Sequence, residues 1–88
     1  MGYQVKEIQP TPNPNAAKFV LDRAISDTPI SFLNPQQGTD HPVASQLFSI
    51  KGVTSVLILG DFVTINKDQA VKWADITQKV QEILQKCH

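Results

Sequence analysis

The chain is short of cysteine first of all: its 88 residues include one, Cys87. A lone thiol forbids an internal disulfide and supplies too few thiolates for a zinc site or an iron–sulfur cluster built from one subunit. Net charge is also missing, since eight lysines and arginines balance eight aspartates and glutamates. Without a net field, and without a basic run interleaved with aromatics, neither nucleic acid nor an anionic membrane is an expected partner. No apolar stretch approaches bilayer-spanning length, and the start Met1-Gly2-Tyr3-Gln4-Val5-Lys6-Glu7 has acid but no apolar h-region. The expectation is a soluble, cytoplasmic chain folding as a single domain over residues 1–88, with room for one modest core and none for a second domain or a catalytic lid.

Catalytic constellations are missing too. The two histidines, His41 beside Pro42 and His88 at the end, have no evident site around them, and solvated, capping or frayed positions suffice for both. Ser45 and Ser49 have no glycine-flanked elbow and no base. Gly38, Gly52 and Gly60 form no phosphate cradle. Asp22, Asp27, Asp40 and Asp61 fall where turns and caps explain an aspartate without acid–base chemistry or a cation. The chain reads as a non-enzyme.

What is present begins with Thr11-Pro12-Asn13-Pro14-Asn15. Proline fixes φ and removes a backbone donor, so two in five residues fit neither a helix nor a central strand. Thr11 and Asn13, each preceding a proline, are pushed towards extended geometry, and the asparagines favour turns. The result is a stiff polar loop between Val5–Ile8 and Ala17–Leu21, which read as paired strands with imperfect alternation, the second more convincing for its β-formers Phe19, Val20 and Leu21. A stiff loop displays side chains at little entropic cost, as recognition requires, and a plain hairpin connection is the alternative.

From Asp22 to Asp40 the chain is polar, punctuated by Pro29, Pro35 and Gly38, with Ile30, Phe32 and Leu33 as an apolar island; an irregular crossing with one short edge strand is expected. Asp40-His41-Pro42 opens a helix carrying Val43, Leu47 and Phe48, closed by Gly52. Val53–Leu59 and Phe62–Lys67 flank Gly60-Asp61 as a two-residue hairpin, setting Ile58 opposite Val63 and Val56 opposite Ile65 on one face. Leu59 opposite Phe62 and Leu57 opposite Thr64 then lie on the other face, which two helices in so short a chain do not also cover. Leu57, Leu59 and Phe62 are therefore candidate partner contacts beside the loop residues, unless the Ile30–Leu33 island folds over them. Trp73, Ile76, Val80, Ile83, Leu84 and Cys87 recur at helical spacing. The fold class is α+β: a small two-layer sandwich, mostly antiparallel sheet with two helices on one face, in the order β-β-(β)-α-β-β-α.

Three blocks carry a resemblance: Thr11 to Phe19, Pro42 to Val53, and Asp61 to Lys67 with Trp73 beyond. In this order they resemble the N-terminal domain of the Nfu/NifU-like iron–sulfur cluster scaffold family, over nearly the whole chain. In two-domain members the cluster sits on a separate C-terminal domain with a Cys-x-x-Cys motif, its ligands shared between subunits. The resemblance implies the accessory half of such a scaffold, standing alone: a non-catalytic interaction domain in iron–sulfur biogenesis. Its expected partners are proteins, either assembly components or client apoproteins. Partner-binding residues on this reading are Thr11, Pro12, Asn13, Pro14 and Asn15 with Leu57, Leu59 and Phe62, and this chain alone holds no cofactor or metal. The alternatives are a carrier of iron or of an iron–sulfur cluster, with ligands such as Cys87 shared between two chains, and a recognition module of an unrelated pathway.

Overall fold

The computed structural model of the chain describes residues 2–86, so the expectations for Cys87 and His88 lie outside the described residues. In chain order the elements are β1 (Val5–Pro10), β2 (Ala16–Leu21), β3 (Ser26–Phe32), a 3-10 turn (Pro35–Gly38), α1 (Pro42–Phe48), β4 (Val53–Gly60), β5 (Phe62–Lys67) and α2 (Trp73–Lys86). The five strands form one sheet, ordered β1-β2-β5-β4-β3, in which every neighbouring pair is antiparallel.

The β4–β5 hairpin has the register its turn spacing dictates: Leu59 faces Phe62, Ile58 faces Val63 and Val56 faces Ile65. Gly60 takes φ +57°, and among the described residues none other than glycine has positive φ, the pattern of a turn with glycine at its first central position. At the other end of β4, Gly52 takes φ +100° where the chain turns out of α1. A Cβ at Gly52 would come within 2.7 Å of Val71.

Strand alternation sends Phe19, Leu21, Val56, Ile58, Val63 and Ile65 into one buried cluster with Val43, Ala44 and Leu47 of α1 and Ile76, Val80 and Leu84 of α2. Both helices thus cover the same face. The imperfect alternation expected of both strands coincides with an irregular register only in β1, between Val5 and Glu7 at the outer edge of the sheet, while β2 pairs regularly with β5.

The crossing segment departs from expectation. It contains a full seven-residue strand, β3, at the second edge of the sheet, with irregular pairing between Ser26 and Ile30 where Pro29 falls. Proline removes one donor, which an edge strand tolerates because one of its sides has no partner strand. Ile30 pairs with Ile58 and Phe32 with Val56, so both point to the helix face, while Leu33 is 71% exposed. The island therefore widens the sheet and does not fold over Leu57, Leu59 and Phe62. At α1 the cap is His41, because Pro42 occupies the first helical position and Asp40 lies one residue too early.

Candidate partner-docking surfaces

The loop between β1 and β2 is tightly internally bonded. The Thr11 hydroxyl lies 2.8 Å from the carbonyl of Asn13 and 3.0 Å from that of Ala16, and it accepts from the Asn13 N–H. Asn13 Oδ1 accepts the Asn15 N–H at 2.9 Å, closing a side-chain-mediated turn. Two further anchors come from far along the chain. Trp73 Nε1–H donates to the Pro14 carbonyl at 3.0 Å. Lys67 donates its backbone N–H to the Asn15 carbonyl at 2.8 Å, and its Nζ to Asn15 Oδ1 at 3.2 Å and to the Asp68 carbonyl at 3.3 Å.

Lys67 is only 9% exposed, and its Nζ lies 5.6 Å from the centre of the Trp73 ring. A buried ammonium needs acceptors, and Asn15 supplies one of them. The Asn15 side chain is therefore turned inward as a positioning group, and Pro12, Asn13 and Pro14 are the exposed part of the loop.

Beside the loop, Ile8, Pro10, Pro14, Ala17, Trp73 and Thr77 line a groove of about 320 Å³. Ile8 sits opposite Phe19 in the register and so shares the helix face, yet it is 39% exposed because α2 leaves the edge strand incompletely covered. Trp73 forms the groove wall while leaning on Phe19, ring centres 6.3 Å apart.

Leu57, Leu59 and Phe62 occupy the opposite face of the sheet, where none of the three is fully buried. Val20 lies opposite Phe62, and Lys18 places its ammonium 4.1 Å from the Phe62 ring centre. Along β2 the pairings run from Ala16↔Asn66 at the loop end to Val20↔Phe62 at the hairpin end. Four residues of strand separate the two, about 13 Å. The structure thus brings Thr11, Pro12, Asn13, Pro14 and Asn15 together with Ile8, Lys67 and Trp73. It sets Leu57, Leu59 and Phe62 on the opposite face of the sheet, Leu59 and Phe62 at its hairpin end and Leu57 mid-strand, level with Lys18.

The helical spacing makes Trp73 a core residue, and the sequence pattern does not single out Ile8, Thr77 or Lys67 for the site. One signal for Lys67 existed: in the alternation Val63, Ile65, Lys67 a charge stands at a core-facing position, which demands a partner. Among the described residues no group of three or more histidines, cysteines, aspartates and glutamates is placed to hold a metal ion.

The sequence model of the scaffold protein Nfu/NifU N-terminal domain matches residues 5–88. The chain belongs to this family. The human mitochondrial NFU1 iron-sulfur cluster scaffold homologue is 39% identical over 67 residues, covering 75% of this chain and 26% of the relative. A NifU-like protein of Schizosaccharomyces pombe is 34% identical over 77 residues, covering 84% and 30% respectively. The solution structure of a NifU-like protein from Saccharomyces cerevisiae superposes with a TM-score of 0.82 at 32% identity, covering 94% of this chain and 77% of that one. A crystal structure of a Staphylococcus aureus protein, at TM-score 0.76 and 21% identity over 91% of this chain and 96% of that one, shares the fold.

The Nfu N-terminal resemblance and the α+β architecture expected from sequence both stand. This chain spans only about a quarter to a third of the curated relatives it matches (26% and 30%). Among the described residues no helix is long and apolar enough to cross a membrane. The human relative is named mitochondrial, so the cytoplasmic expectation gains no specific support.

Proposed function

We propose that this Nfu-family domain, linked by its family to iron–sulfur biogenesis, is a non-catalytic docking module that receives a protein partner at the Pro/Asn loop and its groove. One observation carries the reading: the loop is held by side chains 52 and 59 positions away, Lys67 on Asn15 and Trp73 on Pro14. A surface fixed before binding loses little entropy on complex formation. A loop that only joined two strands would need no such anchors, since a two-residue turn suffices. The partner on this reading is an assembly component or a client apoprotein, and the cluster is cargo held by other residues than these. The domain works in whichever compartment houses that partner.

Capture by the tagged chain, with proteins identified by mass spectrometry, tests the reading. Assembly proteins or iron–sulfur apoproteins should be enriched with the native chain and depleted with Asn13→Ala; enrichment of neither class contradicts it. The carrier alternative has its own readout. Anaerobic reconstitution with iron and sulfide should leave the visible spectrum featureless after desalting, whereas stoichiometric absorbance lost in Cys87→Ser would establish a cluster shared between chains.

A further inference from the structure

Helix α1 is capped in an unusual way. His41, extended at φ −98° and ψ 124°, directs Nδ1 at the backbone N–H groups of Val43 and Ala44, each 3.2 Å away. Nδ1 can accept two donors only while it carries no proton, which fixes the neutral imidazole with its hydrogen on Nε2. The ring stands edge-on to Phe32, centres 5.4 Å apart, so the cap also ties α1 to β3. Serine, asparagine or aspartate would cap equally well without titrating near neutrality.

We propose that His41 makes α1 an acid-labile element: a proton taken up by the Nδ1 lone pair turns the cap acceptor into a donor facing two donors, and the first turn of α1 opens while the sheet stays formed. The Val43 and Ala44 N–H groups then pass to water, and the ring leaves Phe32. The surroundings leave this titration to His41 itself. The 3-10 turn and β4 carry no titratable side chain, and β3 carries only Asp27, near its far end. On α2, Asp75, Lys79, Glu82 and Lys86 form no hydrogen bond with the ring, and neither does exposed Asp40 beside it.

Burial lowers the pKa of His41 below its usual 6.5. Because the folded value lies below the unfolded one, the opened state binds more protons. The cap is therefore fully effective above pH 6.5 and weakens as pH falls through 6.5 towards the folded value.

Amide hydrogen exchange of the full chain between pH 8 and 5, corrected for intrinsic rates, reads the opening residue by residue. Exchange at Val43 and Ala44 should rise by up to about tenfold per pH unit below the usual histidine value, then level off. Val63 and Ile65 of β5 should not follow. His41→Asn, which keeps an acceptor and loses the titration, should abolish the rise. Long-range nitrogen–proton spectra of the native chain, which need no variant, should show the neutral proton on Nε2. A flat profile in the native chain, the same slope in His41→Asn, or a neutral ring protonated on Nδ1 would overturn the proposal.

Discussion

The two surfaces of this domain that expose apolar groups arise in different ways. The open sheet face follows from strand alternation. Once Val56, Ile58, Val63 and Ile65 point into the core, their neighbours Leu57, Leu59 and Phe62 must point out, where cross-strand neighbours and Lys18 half-cover them. The Pro/Asn loop has no such origin. Its conformation is sustained by Trp73, by a nearly buried lysine and by two asparagines in different roles, one turning the chain and one receiving Lys67. Exposed apolar area alone does not mark a functional surface; dedicated anchoring does so better, because it constrains residues that the fold could have left free.

Substitutions can break this contrast. The largest effect belongs to Trp73→Ala, which removes the ring against Phe19 and the donor to Pro14; thermal or denaturant unfolding should show a loss of about 3 kcal/mol, with docking abolished. Asn15→Ala should come next, at about 2 kcal/mol, because it deprives the Lys67 ammonium of an acceptor inside the protein. Rescue of that variant by Lys67→Met would show that the loss comes from the stranded charge. On the open face, Phe62→Ser should cost about 1 kcal/mol through lost packing and the contact with Lys18, and should leave partner capture unchanged. Asn13→Ala is the converse case. Its exposed side chain makes one bond, to the Asn15 N–H, so its loss should cost about 0.5 kcal/mol in a melting curve, while partner capture weakens. Equal weakening by Phe62→Ser would erase the distinction between the surfaces.

The β4–β5 hairpin and α2 were legible because local rules determine them. A Gly60-Asp61 spacing sets every cross-strand pair from Val56 to Ile65, and the recurrence of Ile76, Val80 and Leu84 sets a helix face. β3 was harder to read, because Pro29 argues against a central strand and only the sheet order reveals an edge that tolerates it. The loop residues of the candidate site could be named from their composition. Their anchoring could not, since the bond from Trp73 to Pro14 spans 59 positions and depends on where α2 crosses the sheet. The separation of the loop from Leu57, Leu59 and Phe62 was hidden for a related reason: it follows from the pairing of β2 with β5, which no turn specifies. The exposure of Ile8 belongs to the same class, being decided by how far α2 covers the edge strand.

Site-specific photo-crosslinking in cells tests the central claim most directly, with a photoreactive residue placed at Asn13 in one chain and at Phe62 in another. The account predicts crosslinked products from position 13 and not from position 62, with iron–sulfur assembly proteins or client apoproteins among them by mass spectrometry. Products confined to position 62, or products at position 13 that include no iron–sulfur protein, would contradict it.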